Sequence, residues 1–312
     1  MKKLGLLFFF LFSTPLFATV KKAYEESFAS SVVISDSDVV RFGFGNFDPV
    51  NILEQLGDDN NDQSLDLRKQ LQVFALPYTY QIDEKSRINT HFSYISQSQE
   101  VLFDNLIIPD DSHDQIFTAY GDYESELYRY ENWLLEWNAG AHIMHYDNIH
   151  DYKSPESRAI KSEVEGIYFN TTANSLLADF GLTLSRKKES RWGHWLVKSS
   201  YNHFFGKGFG GDEPTREATP SGWYFANSVR ATVKLDQKLK HTESIYLKFQ
   251  RVDLGGDARS AFSTGHYYEY GGGLLIDTRP WTSWFDNIGI GLHYNEGSVL
   301  SGGSIVIYFN EE

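Results

Sequence analysis

A histidine and a serine stand two positions apart in the chain, as His91 and Ser93. Acyl hydrolysis by a serine needs a base within hydrogen-bond reach, and residues two apart on a strand share a face. The pair therefore has the spacing of a lipid hydrolase. However, hydrolysis of a lipid must occur on the surface where its acyl chain lies. The apolar Phe92 and Tyr94 are expected to face lipid, so His91 and Ser93 would face the opposite side. We predict that the chain is not an enzyme and keep lipid hydrolysis as an alternative.

Aspartate and histidine cluster in two further places, and they are the residue types that a protease with its active site in outer surface loops would use. The clusters are Asp110, Asp111, His113 and Asp114, and His145, Asp147, His150 and Asp151. Solvated acidic loops have this composition far more often than catalytic sites do. We predict no catalytic, metal or cofactor site in either cluster.

Alternating apolar and polar residues predict that these side chains lie on β-strands. Near the C-terminus, for example, Ile288, Ile290 and Leu292 alternate with glycine and histidine. The pattern recurs often enough to predict an all-β fold, a single antiparallel up-and-down transmembrane β-barrel of about twelve strands. The predicted strands cover residues 38–47, 69–82, 86–97, 115–131, 133–147, 174–187, 191–206, 222–235, 241–254, 264–278, 285–296 and 301–310.

The links between these strands alternate in length, except that the last one, 297–300, is short where a long one is due. An outer-membrane barrel has short periplasmic turns and long outer loops, and an even strand number returns both chain ends to the periplasm. We therefore predict a Gram-negative outer-membrane protein with both termini periplasmic. A soluble secreted β domain, which has no reason to sort its loop lengths, is the second alternative.

The N-terminal residues have the pattern of a secretory signal peptide, with Lys2 and Lys3 before an apolar run. We predict a signal peptide at 1–18, a short periplasmic segment at 19–37 and the barrel domain at 38–312. A short helix is predicted near 49–57, where Asp48 can cap it and Pro49 suits its first position. Segment 160–170 also alternates, and a strand pair there would give fourteen strands.

Composition argues against nucleic acid as a partner. The formal charge is −14, whereas nucleic-acid binding requires basic patches. The 23 Phe, 19 Tyr and 7 Trp suit strands and the interfacial girdles of a membrane barrel. The chain has no cysteine, so no disulfide framework supports it.

Charged residues on the inner face of the barrel form the remaining site. Alternation places seven of them toward the lumen: Asp179, Lys198, Arg230, Lys234, Lys248, Glu269 and Asp277. Exposing Arg or Lys to lipid at the membrane midplane costs roughly 2–4 kcal/mol, which explains this placement without transport. The residues could form a charge ladder across a narrow pore, or they could pair and plug it. A barrel of twelve strands lies between filled and open barrels, so both remain possible.

The chain closes with the alternating sequence SGGSIVIYF over 301–309, followed by Asn310, Glu311 and Glu312. With its strand pattern, the chain resembles the solitary outer-membrane autotransporter-like barrels of Gram-negative bacteria, which lack a passenger. This resemblance implies a non-enzymatic structural surface protein or narrow pore, present as a monomer among outer-membrane lipids and lipopolysaccharide. The tail is similar to the signal read by the barrel-assembly machinery, so that machinery and periplasmic chaperones are implied partners. The signal residues would be Gly303, Ile305, Ile307 and Phe309.

Overall fold

A computed structural model of the chain describes residues 5–35, 39–46, 68–101, 108–211, 213–235, 243–279, 281, 287–297 and 301–309. Within these residues, twelve strands form one antiparallel sheet in which β2 to β12 pair with their neighbours in sequence and β1 pairs with β12. Because β1 also lies beside β2, the two ends of the sheet meet and the sheet closes into a barrel. The predicted all-β fold with twelve strands is confirmed. The strands are β1 (Val39–Asn46), β2 (Arg68–Gln81), β3 (Ser86–Val101), β4 (Asp110–Tyr130), β5 (Trp133–Asp151), β6 (Thr172–Ser190), β7 (Gly193–Phe209), β8 (Ser221–Lys234), β9 (Glu243–Gly256), β10 (His266–Asp277), β11 (Asn287–Glu296) and β12 (Ser301–Phe309).

Four helices accompany the strands within the described residues: α1 (Gly5–Ser35), α2 (Pro155–Val164), α3 (Glu213–Arg216) and α4 (Asp257–Ala261). Helix α2 occupies part of segment 160–170, so the alternative of fourteen strands is wrong. The helix starts there because Ser154 Oγ accepts a hydrogen bond from Ser157 N and Pro155 takes the first helical position. The helix predicted near 49–57 lies outside the described residues.

Side-chain exposure follows the strand alternation. On β8, Val229 and Val233 are exposed on the outer surface, whereas Arg230 and Thr232 between them are buried on the inner surface. Apolar side chains on the outside and polar ones inside are what a barrel in lipid requires. Among the described residues, no helix has the length and apolarity needed to span a membrane.

The two ends of the barrel differ in their connections. Links 82–85, 131–132 and 191–192 lie at one end, here called the short-turn end, together with the last residues of β12. Links 152–171, 210–220 and 257–265 lie at the other, the long-loop end, and contain α2, α3 and α4. The alternation of link lengths predicted from the sequence is therefore present.

Residues 20–35 of α1 lie inside the barrel. Phe28, Ala29 and Val32 are fully buried. Tyr24 donates a hydrogen bond to Thr171 at the long-loop end, whereas Ser31 lies 3.4 Å from Thr118 on the inner face of β4. The helix therefore descends from the long-loop end, toward the end where β1 starts opposite the last residues of β12. The sequence predicted a periplasmic segment at 19–37, and the structure instead places 20–35 in the lumen.

A serine-rich helix can be buried here because its hydroxyls bond within the helix. Ser27 Oγ donates to Ala23 O at 2.9 Å, Ser30 Oγ to Ser27 O at 2.9 Å and Ser35 Oγ to Ser31 O at 2.6 Å. This local bonding satisfies the hydroxyl donors without outside partners. The small serine and alanine side chains also let the helix approach the barrel wall closely.

Candidate functional site

The half of the lumen nearest the long loops is filled by an apolar core between α1 and the wall. Phe28, Val32 and Val33 of the helix belong to the same buried cluster as inward residues of nine strands. Burial of that much apolar surface is the main stabilising contribution to a folded core, at about 25 cal/mol per Å². The wall residues of this cluster include Val73, Ile95, Ile116, Met144, Leu177, Phe204, Tyr224, Val252, Leu254 and Tyr267.

The outer end of α1 is fastened to the long loops by polar contacts. Glu25 Oε1 accepts hydrogen bonds from the backbone N (2.7 Å) and the hydroxyl (3.0 Å) of Thr219. Next to it, Asp257 of α4 accepts a bond from Ser221 N at 2.8 Å. Burial raises the pKa of the Asp257 carboxyl, and the neighbouring Glu25 carboxylate raises it further, against the lowering effect of the Ser221 bond.

Replacing Asp257 with Asn is expected to reduce the loss of stability that accompanies rising pH. The folded-state pKa of Asp257 lies above the ordinary aspartate value of 3.8. Its contribution to stability is therefore greatest below that value and is lost as pH rises through the raised pKa. Urea unfolding of detergent-folded protein at a series of pH values measures the difference between variant and wild type. The other charged residues near Asp257 remain unchanged in both proteins. They are Glu25, Glu26, Lys21 and Lys22.

The control for this variant is Glu217→Gln, an exposed carboxylate in the same link as Thr219. Asn at position 257 keeps an oxygen that can accept the Ser221 bond, so the change removes charge and leaves the contact. Wild-type and Asp257→Asn profiles that run parallel across the pH series would contradict the prediction.

A polar network occupies the inner face farther from the long loops, centred on the fully buried Glu269. Its Oε1 accepts a hydrogen bond from Lys248 Nζ and lies beside His293 Nδ1, each at 2.9 Å. His293 Nε2 is 3.3 Å from the hydroxyl of Tyr246, and the Arg230 guanidinium lies 4.8 Å from the centre of the Tyr246 ring. Adjacent strands therefore pair their charges along the wall rather than as a ladder across the lumen.

The other charged residues predicted to face the lumen are distributed over the same inner surface. Asp179 is buried with its Oδ2 3.3 Å from His142 Nε2. Lys198 is exposed on the inner face of β7. Lys234 pairs with Glu189 at 3.9 Å and Asp277 with Arg279, both at the short-turn end. Of the seven residues, Arg230, Lys248 and Glu269 lie in one network, whereas Asp179, Lys234 and Asp277 each pair with a residue outside the seven.

His91 and Ser93 lie on the inner face of β3 and are both buried. His91 packs against the Tyr120 ring, with centroids 4.7 Å apart. Among the described residues, Ser93 Oγ has no hydrogen-bond partner, so no base activates it. The arrangement lacks the nucleophile–base contact that acyl hydrolysis requires.

Residues of both Asp/His clusters form a polar clasp that holds link 152–171 against the barrel. The clasp comprises Asp110, His150, Lys153, Ser154 and Ser157. Asp110 Oδ1 accepts bonds from Lys153 N (2.7 Å), Ser154 N (3.1 Å) and Ser157 Oγ (3.1 Å), and its Oδ2 is 3.3 Å from His150 Nε2. The side chains of Asp110 and His150 are both fully buried. Buried and occupied by the loop, they are placed to hold structure and not to meet a peptide substrate.

Aromatic rings complete the packing around the clasp. His150 stacks on Phe169 with centroids 3.9 Å apart, and Tyr152 meets His150 edge-on at 4.6 Å. Burial raises the pKa of Tyr152, and the adjacent Glu165 raises it further. Burial alone raises the pKa of Tyr168 to about 12. Both phenols therefore stay neutral at physiological pH and add no charge to the packing around the clasp.

The residues of the predicted assembly signal lie on β12. Gly303 and Ile305 are exposed on its outer face and Ile307 is partly exposed there. Phe309 is the last strand residue and pairs with Ile288 of β11. The signal therefore forms the outer surface of the strand that joins β1.

The chain is similar to known proteins in both sequence and structure. A sequence model of the family described as the solitary outer membrane autotransporter beta-barrel domain matches residues 25–311. No curated protein matches the chain. The chain is similar to the β domain of the Bordetella autotransporter BrkA (8% identity, 88% of this chain and 97% of that one, TM-score 0.48). It is also similar to the translocator domain of NalP from Neisseria meningitidis (9%, 89% and 90%, 0.49) and to LpxR from Salmonella typhimurium (11%, 87% and 100%, 0.40).

Proposed function

The chain belongs to the solitary outer membrane autotransporter β-barrel family, and from this premise we propose that it is a closed surface barrel plugged by its own helix. Barrels of this family reside in the Gram-negative outer membrane, and the family model covers residues 25–311 of this chain. The observation that supports closure is the apolar core between α1 and the wall, in which Phe28 and Val32 are fully buried. A water-filled pore needs a polar, hydrated path, and packed apolar side chains remove it.

The proposal gives the protein no catalytic step. Autotransporter barrels are non-enzymatic in their translocator role. The hydrolase alternative depended on His91 and Ser93, and both lie buried on the lumen side, away from the acyl chains of the membrane. No hydrogen bond to Ser93 Oγ supports activation among the described residues. These observations favour a structural role over lipid hydrolysis.

The proposed orientation places the long loops at the cell surface and the C-terminal strand end in the periplasm, as short periplasmic turns require. A signal peptide removed after Ala18 would then leave a mature chain that starts near Val20, at the outer mouth of the barrel. This differs from the sequence prediction of two periplasmic termini. The difference arises because α1 crosses the lumen before β1 begins.

The proposed partners follow from this placement. Outer-membrane lipids and lipopolysaccharide would cover the exposed apolar belt, and the protein would be a monomer because the closed sheet offers no free edge. Delivery by periplasmic chaperones and recognition of Gly303, Ile305, Ile307 and Phe309 by the barrel-assembly machinery are proposed on the resemblance of the C-terminal strand alone.

Cysteine labelling tests the orientation, since the chain contains no cysteine of its own. We expect Glu217→Cys in a long loop and Lys22→Cys at the outer end of α1 to react with an impermeant maleimide in intact cells. Glu84→Cys, in a short turn, should react only after the outer membrane is permeabilised. All three side chains are exposed in the structure, so the extent of labelling reports the side of the membrane on which each residue lies.

The comparison is made on protein that shows a heat-dependent shift on gels, which confirms a folded barrel. If Lys22→Cys followed the pattern of Glu84→Cys, the outward direction of α1 would be wrong. If Glu217→Cys did so, the orientation of the whole barrel would be wrong.

A further inference from the structure

An elongated groove runs along the lipid-facing wall formed by β2 to β6. It encloses about 570 Å³, a volume within the range of small-molecule sites. Its floor is low at Ala119, because the register puts this small outward residue between the larger Phe92 and Ile143. Phe92 and Ile143 are both more than half exposed and form its sides.

One end of the groove is closed by a row of aromatic and polar side chains. In register across five strands, this row is Phe74, Tyr94, Phe117, His145 and Asn174. Neighbouring rings lie 4.8 Å apart for Tyr94 and Phe117 and 6.4 Å for Phe117 and His145. The row ends in a hydrogen bond of 2.8 Å between His145 Nδ1 and Asn174 Oδ1. A carboxamide oxygen only accepts, so Nδ1 is the donor of this bond.

Beyond that row, toward the long loops, the outer surface turns polar. The next residues on this side are Ser96, which is buried, and the partly exposed Gln115 and Asp147, followed by Ser98 with His113. His113 Nδ1 lies 2.7 Å from Ser98 Oγ. In the opposite direction the wall stays apolar, with Leu76 and Leu176 exposed. The polar rows therefore mark the headgroup level, and the groove lies just inside the hydrocarbon layer.

We propose that this groove binds an acyl chain of a lipopolysaccharide molecule of the outer leaflet, with the headgroup against His113, His145 and the surrounding polar rows. The groove is apolar along its length and polar at the one end that reaches the headgroup level, which is the polarity profile of a membrane amphiphile. Nε2 of His145 can bond a hydroxyl near the headgroup, since a hydroxyl both donates and accepts. Lipopolysaccharide acyl chains carry such a hydroxyl, whereas phospholipid chains do not.

This inference rests on the proposed function, because the long-loop end must face the outer leaflet. The test is native mass spectrometry of the full chain extracted in mild detergent from membranes that contain both lipopolysaccharide and phospholipid. We expect wild type to retain lipopolysaccharide. Ala119→Phe fills the groove, and since each displaced CH₂ costs about 0.8 kcal/mol, loss of two should lower retention about tenfold. His145→Phe should lower it by a smaller factor.

The matched control is Ala231→Phe, because Ala231 also faces outward between two large residues, Trp195 and Leu247, on the other side of the barrel. It should retain lipopolysaccharide as wild type does. Ala119→Leu fills less of the same groove and replaces Ala119→Phe if that variant lacks the heat-dependent gel shift. Equal retention by Ala119→Phe and Ala231→Phe, or retention of phospholipid in place of lipopolysaccharide, would overturn the proposal. The cysteine labelling described above separately reports a failure of the orientation.

Discussion

Removal of residues 19–35 is expected to convert a silent barrel into one that conducts ions across a planar bilayer. In the intact chain, Phe28, Ala29 and Val32 are fully buried in the lumen at the long-loop end, and under the proposed function this packing blocks the path of ions. Without the helix, the inward side chains of the wall would face an open lumen. Single-channel recording over a range of voltages measures the effect, which should be a change from no resolved conductance to discrete open events.

A full-length variant separates the effect of opening the lumen from the effect of deleting residues 19–35. Phe28→Asp puts a carboxylate into the apolar core, and losing that packed ring alone should cost about 3–5 kcal/mol, so the helix should leave the lumen. Lys22→Gln, on the exposed side of the same helix, is the control and should stay silent. Conductance from the unaltered chain equal to that of the deletion would show that α1 does not close the barrel.

The strand pattern was predictable because each strand has one face in lipid. On β8, Val229 and Val233 alternate with Arg230 and Thr232, and the structure places these two sets on opposite surfaces. A shift of one residue would expose Arg230 to lipid, so the register is strongly determined. The link lengths then identify the two ends, which is why the strand count and barrel class could be inferred without a structure.

The plug could not be predicted from the helix alone, since residues 20–35 are rich in serine and alanine and carry no clear amphipathic stripe. The sequence pattern that could have indicated the plug is on the strands of the barrel wall. Ile95, Met144 and Leu177 are apolar residues on strand faces that should line water, and all three are buried. Apolar residues on both faces of a membrane strand indicate that protein fills the lumen beside them. The pairing of Glu269 with Lys248 could not be inferred, because it depends on neighbouring strands and not on sequence spacing.

Asp110→Ala is expected to release link 152–171 from the barrel. The carboxylate accepts three hydrogen bonds from Lys153, Ser154 and Ser157, and its removal leaves buried donors without their acceptor. Hydrogen bonds to a charged group contribute about 1.5–3 kcal/mol each, so the loop should open at least tenfold more often. Trypsin can cut at Lys153 and Arg158, and the rate of cleavage in folded, detergent-solubilised barrel measures the opening.

The neighbouring Asp111 provides the matched control. It lies on the exposed side of the same strand and pairs only with the Lys153 ammonium among the contacts described for it, so Asp111→Ala should leave cleavage nearly unchanged. Asp110→Asn keeps one acceptor oxygen while removing the charge beside His150, and it should fall between the two. Equal cleavage of the Asp110→Ala and Asp111→Ala variants would mean that the aromatic packing of Phe169 on His150 holds the loop without the carboxylate. A higher rate for Asp110→Ala, with the heat-dependent gel shift retained, would show that the clasp stabilises the loop and not the barrel.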